Sequence, residues 1–181
     1  MMKKLMTFAA AVLFALTAAG CGSSNTVSGL IGKTITPENG YAEGKLGDTM
    51  RTAWFDLKTN SAKLVSGRED YQPSEGNVLL VVNITLNSTY DSDVQMFDTD
   101  FQAQWGSEGD EDYRVPITYY HPDLSFEGML EESYTLEAGK SVTGDLVFEV
   151  PGGMKSYSLS FQEYFDNDKT GDLFFIYFDA E

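Results

Sequence analysis

One short run limits what this chain can become. In Gly76–Leu86, the residues Val78, Leu80, Val82, Ile84 and Leu86 fall at every second position. A period of two puts all five on one face of an extended strand. The other face begins apolar at Leu79 and Val81 and turns polar at Asn83 and Thr85. Apolar surface of this one-sided kind suits a central strand of an antiparallel sheet. A second run repeats the pattern with Val142, Gly144, Leu146, Phe148 and Val150, and Pro151-Gly152-Gly153 follows it. Proline cannot donate to a strand ladder, so Pro151 ends this strand. Gly139 suits the tight turn before it.

Shorter runs fill in the remainder. Met50–Lys58 alternates, with Ala53, Phe55 and Leu57 on one face and Trp54 on the other, and Lys63–Ser66 reads as a short partner strand. Arg68–Asn77, with Pro73 and Gly76, reads as loop. Val94–Trp105 reads as one strand, with Phe97, Thr99, Phe101, Ala103 and Trp105 sharing a face. Tyr113, Val115, Ile117 and Tyr119 alternate again, and Pro116 marks an edge position. Ser133–Leu136, the run from Tyr157 through Phe161, and Leu173–Phe178 complete the set. Twelve Phe and ten Tyr favour strands over helices. About nine short antiparallel strands with regular turn signals and no helix predict an all-β sandwich.

The N-terminus reads as an address. Lys3 and Lys4 precede an apolar stretch, Leu5–Leu16, broken only by Thr7, and Ala18-Ala19-Gly20-Cys21 closes it. The stretch is short for a bilayer span, so residues 1–20 read as an export signal. With Cys21 directly after small residues, it resembles a bacterial lipoprotein signal, although Ala18 stands where that signal usually has Leu. The resemblance implies cleavage after Gly20 and a diacylglycerol thioether on Cys21. The protein would then be anchored on the extracytoplasmic face of the cell membrane. A plain secretory signal is the alternative. Residues 21–45, rich in Gly, Ser, Thr and Asn and holding Pro37, read as the lipidated cysteine and a flexible tether reaching roughly 25–30 Å. The folded domain is then 46–181.

Charge and rare residues exclude several functions. The net charge of −16 repels phosphate backbones, so no nucleic-acid partner is expected. It also repels anionic head groups, so membrane contact must come from an anchor. One cysteine permits no internal disulfide. The single histidine, His121, excludes a multi-histidine metal site and argues against a histidine-based catalytic triad.

Three segments carry a family likeness. They are Gly76–Asn87, Phe101–Gln104 and, most strongly, Leu136–Pro151 with its turn Glu137-Ala138-Gly139-Lys140. Together they resemble the immunoglobulin-like extracellular domain known as domain of unknown function 4352, over about Leu46–Phe178. That domain occurs in Gram-positive lipoproteins and is similar to secreted mycobacterial immunogenic antigens. The resemblance implies an immunoglobulin-like β-sandwich. It brings no catalytic residues.

Three groups of residues are candidates for a site. Asp166, Asp168, Thr170 and Asp172, with Gly171 at the sixth place, resemble the start of a calcium loop, but the twelfth place holds Tyr177 and no helices flank it. The same residues also serve a hairpin turn, with Asn167 or Gly171 at positive φ. Asp91, Asp93, Asp98 and Asp100 surround one turn, and Glu108, Asp110, Glu111 and Asp112 another. Paired carboxylates of this kind can hydrolyse sugars, and they also simply solvate loops. Trp54, Trp105, Tyr113, Tyr119, Tyr120 and Tyr134 could line a sugar- or peptide-binding face or pack the core. The expectation is a lipid-anchored interaction module, not an enzyme and without a cofactor, whose ligand is a protein or a cell-wall component. A calcium-stabilised adhesion module and a hydrolase are the alternatives.

Overall fold

A computed structural model describes residues 32–106, 112–165 and 169–181. Twelve strands occur among them: β1 (Thr34–Ile35), β2 (Tyr41–Lys45), β3 (Thr49–Arg51), β4 (Phe55–Val65), β5 (Asn77–Ser88), β6 (Val94–Phe97), β7 (Phe101–Trp105), β8 (Tyr113–Arg114), β9 (Ser133–Leu136), β10 (Ser141–Pro151), β11 (Ser156–Phe165) and β12 (Lys169–Asp179). Single 3-10 turns cover Asp98–Asp100 and Ile117–Tyr119. One sheet has the order β1-β3-β4-β5-β10, the other β2-β12-β11-β7-β8, and β6 pairs with β9.

The alternation read from the sequence decides which faces meet. β5 lies between β4 and β10, and Leu80, Val82, Ile84 and Leu86 are fully buried. Their partners on β10 are Phe148, Leu146, Gly144 and Val142. Phe101, Ala103, Tyr157, Leu159, Phe161, Phe174 and Ile176 of the second sheet join the same core. Phe161 lies 5.1 Å from Phe55, 5.5 Å from Phe101 and 6.1 Å from Phe174, so one ring links both sheets. Each buried side chain of this size contributes about 1.5–3 kcal/mol. The result is an immunoglobulin-like β-sandwich.

Four details differ from the sequence reading. First, residues assigned to the tether belong to the fold. β1 pairs with β3 and β2 with β12, both in parallel, so the sheets are not purely antiparallel. The buried Asp48 carboxylate takes the Lys33 N–H at 3.0 Å and the Lys45 N–H at 3.1 Å, and Ala42 is buried. These short polar strands have no apolar period to reveal them. Cys21 and residues 1–31 lie outside the described residues.

Second, Met50–Lys58 and Lys63–Ser66 are not a pair. Phe55–Lys58 and Lys63–Val65 belong to the one long β4, which passes through a bulge at Asn60, while Met50 and Arg51 lie in β3. The strand count rises from about nine to twelve mainly because of short edge strands. Third, Val94–Trp105 is two strands. The 3-10 turn at Asp98–Asp100 interrupts it and carries the chain from the β6–β9 pair into the second sheet. Fourth, the alternation from Tyr113 to Tyr119 is a strand only at Tyr113–Arg114. After Pro116 the chain turns, burying Ile117 and exposing Tyr119.

Candidate functional site

Alternation on β10 also fixes its outer face. Inward residues go to the core, which leaves Thr143, Asp145, Val147 and Glu149 pointing the other way. Val147 and its neighbour Leu79 on β5 are apolar there. They are covered by Ile117 and Phe126 from the segment between β8 and β9, forming a second small core. Arg68 pins the cover, bonding the Asp145 carboxylate at 3.1 Å with its guanidinium 5.3 Å from the Phe126 ring centre.

Glu149 stands at the end of this covered face. Its Oε2 accepts the Tyr71 hydroxyl at 2.7 Å. Its Oε1 accepts the Ser74 N–H at 3.0 Å and the Asn77 amide at 2.8 Å. Desolvation opposes its ionisation, but the bonds from Asn77, Tyr71 and Ser74 outweigh it and bring the pKa down to about 2. Burial, followed by the bond to Glu149, pushes Tyr71 up to about 12. The Tyr71 hydroxyl also lies 3.4 Å from His121 Nε2, with the rings 5.4 Å apart. The loop from Tyr71 to Asn77 is thereby fastened to β10.

Between that loop and the covering segment lies a pocket of about 290 Å³, lined by Ser74, Asn77, Arg114, Ile117, Tyr120, His121 and Glu149. Arg114, from β8, lies 5.7 Å from the centre of the Trp105 ring and donates to the Tyr113 carbonyl at 3.0 Å. No described carboxylate pairs with it. The His121 backbone N–H bonds the Ile117 carbonyl at 2.9 Å, which closes the turn that carries this residue to the rim. Tyr119 and Tyr120 are exposed, with their rings in T-shaped contact at 5.2 Å. Glu149 has no proton to give near neutrality, and its acceptors are engaged, so it organises the pocket and is poorly suited to acid–base work. The polar groups left to meet a ligand are a guanidinium, an imidazole and a phenol.

The other candidates scatter. Asp166 and Asp168 lie outside the described residues, as do Glu108, Asp110 and Glu111. Thr170 pairs with Tyr164 inside the β11–β12 hairpin, and the Asp172 N–H bonds Glu163 at 3.0 Å. Among the described residues no carboxylates, histidines or cysteines are grouped to hold a metal. Gly171 is not at positive φ. It makes room for Glu163, whose carboxylate oxygen would lie 2.5 Å from an added Cβ. Asp91 and Asp93 are exposed, and Asp93 caps the Ala138 N–H at 2.9 Å. Asp98 is buried, and its carboxylate accepts the Thr118 hydroxyl. Burial, aided by the charges of Glu132 and Asp100, raises its pKa to about 6 against the bonds from Thr118 and Thr99. At 2% exposure it is sealed from any substrate. Of the aromatic candidates, Trp105 is buried, Tyr134 is partly buried against the core, and Trp54 packs 5.0 Å from Phe165. Tyr113, Tyr119 and Tyr120 are exposed on or just after β8, and Tyr120 lines the pocket.

Sequence reasoning missed Glu149, Tyr71, Asn77 and Arg114. The outward period of β10 was a usable signal for Glu149, but nothing local tells that a loop more than seventy residues earlier closes on it.

Domain of unknown function (DUF4352) matches residues 44–170. The chain belongs to the DUF4352 family. No curated protein sequence matches it. This DUF4352 chain is similar to two solved structures from Bacillus subtilis. YcdA, a candidate lipoprotein, superposes with a TM-score of 0.56 at 18% identity, over 73% of this chain and 38% of that one. The YjhA protein superposes with a TM-score of 0.52 at 17% identity, over 74% of this chain and 99% of that one. At these identities the likeness concerns the fold alone, and the DUF4352 chain spans well under half of YcdA.

Proposed function

We propose that this protein is a non-enzymatic binding module, lipid-anchored through Cys21 on the extracytoplasmic face of the cell membrane. Its ligand, a protein or cell-wall component, docks an anionic group in the Arg114–His121 pocket. The observation that carries the reading is the division of labour in that pocket. Glu149 is fully engaged by Tyr71, Ser74 and Asn77, which fixes the walls, while Arg114, His121 and Tyr120 line the remaining space. A guanidinium is suited to a carboxylate or phosphate by its paired donors, and exposed tyrosines supply rigid contact area. The lipoprotein-like signal supports the location.

The test is a pull-down of cell-wall fractions and membrane proteins with the purified protein. Arg114→Ala and His121→Ala are expected to lose the captured ligand while keeping the wild-type circular dichroism. Retention of the full ligand set by both variants would overturn the reading. In cells, Cys21→Ser is expected to release the protein from membranes or block its processing. Unchanged membrane association and mature size would refute the anchor.

A further inference from the structure

A second groove lies away from the Arg114 pocket, where the link before β4 meets β6 and the bulged end of β11. Alternation on β6 buries Met96 and turns Gln95 and Phe97 outward. The bulge between Gln162 and Tyr164 sends the Glu163 carboxylate inside. There it takes the Ala53 N–H at 2.7 Å and the Asp172 N–H at 3.0 Å, which fastens the residue before Trp54 to the hairpin. Trp54, Phe97, Phe161 and Tyr164 are thereby gathered around a space of about 190 Å³. Phe97 and Tyr164 remain 44% and 69% exposed, more than a sandwich core needs.

The polar groups of the groove have a fixed sense. Gln95 donates its amide nitrogen to the carbonyls of Met96 (3.2 Å) and Tyr134 (3.0 Å). Gln162 donates to those of Gly171 (2.9 Å) and Asp172 (3.5 Å). Two carbonyl acceptors on each amide leave no freedom to exchange its oxygen and nitrogen. Both Oε1 atoms therefore remain as acceptors. Asp100 adds a third: its Oδ2 takes the Phe97 N–H at 2.9 Å, and Oδ1 is unused by the described residues. Burial raises the Asp100 pKa, as for a carboxylate with no positive charge beside it. No Lys, Arg or His lines the groove, and beside the two engaged Gln amides its side-chain donors are neutral, the Trp54 indole N–H and the Tyr164 hydroxyl.

We propose that this groove binds a primary alkylammonium group, with three acceptor oxygens for its three N–H donors and aromatic faces for its charge and alkyl stem. Aromatic rings attract cations through their quadrupole, most strongly at tryptophan. The net charge of −16 draws cations toward the protein. The ammonium comes from a lysine side chain or from an amino sugar, and the experiment separates these sources.

The test titrates purified full-length protein with n-butylammonium, following tryptophan fluorescence and heat. n-Butanol is the neutral control. Saturable binding of butylammonium is expected, weakened by salt, with butanol at least about tenfold weaker. Asp100→Asn keeps an acceptor for the Phe97 N–H and is expected to lose about tenfold. Tyr164→Ala, at an exposed position, is expected to weaken binding without unfolding the domain. Titrations with Nα-acetyl-lysine methylamide and with glucosamine then tell the peptide source from the sugar source. Equal binding of butanol and butylammonium would mean a merely apolar groove. Absence of binding, or affinity unchanged in folded Asp100→Asn, would overturn the proposal.

Discussion

Asp98 gives the sharpest test of the tertiary structure. It is 2% exposed, its Oδ2 takes the Thr118 hydroxyl, and Oδ1 has no partner among the described residues. Burial, with the charges of Glu132 and Asp100, holds its folded pKa at about 6 against an ordinary 3.8. That gap is worth about 3 kcal/mol. Because the folded pKa is the higher one, the folded state binds the extra proton between these values. Stability is therefore full below about pH 4 and falls as pH rises through about 6, by about 1.4 kcal/mol per pH unit within the window. Asp100 acts in the same direction, since burial raises its pKa too. Glu149 acts oppositely, but only below its unfolded value of 4.5. Asp98→Asn removes the titration while keeping an acceptor for Thr118. Urea denaturation from pH 4 to pH 8 is expected to show the wild type losing stability across this range. The variant should lose distinctly less and should be the more stable protein at pH 8. The same slope in both proteins would refute the reasoning, because the burial of Asp98 would then not set the proton balance.

Asp48→Ala leaves the Lys33 and Lys45 N–H groups without their acceptor, at about 1–3 kcal/mol for each group that stays buried. Faster amide exchange is expected along β1 and β2 before it appears in β5, and uniform protection would contradict the role given to this carboxylate. Ile84→Asp puts an unpaired charge at a fully buried position and is expected to abolish the folded circular dichroism spectrum, which a cooperative melt in the variant would disprove. Calcium is expected to leave the melting temperature unchanged, since Thr170 pairs with Tyr164 in the β11–β12 ladder and the Asp172 backbone N–H is held by Glu163. Stoichiometric sub-millimolar binding in a calorimetric titration, lost in Asp168→Asn, would instead establish the calcium loop.

The local grammar of the chain determined its main strands. Period-two apolar runs state which face of a strand is buried, and Val78–Leu86 and Val142–Val150 lie paired along their whole length. Gly139 sits at φ +68° in its turn, and Pro151 ends β10. Those signals are local, so they are readable without the fold. The parallel docking of β2 on β12, the burial of Asp98 and the engagement of Glu149 depend on residues far apart in the chain. Tyr71 and Glu149 are 78 positions apart, and their contact exists only because the segment after β8 and the loop before β5 both pack on the outer face of β10. Gly171 makes the same point at short range. Its composition suits a turn, yet its lack of a side chain serves the buried Glu163 across the hairpin. A sequence period reports the polarity of one element's faces, whereas the chemistry of a pocket depends on which faces tertiary packing brings together.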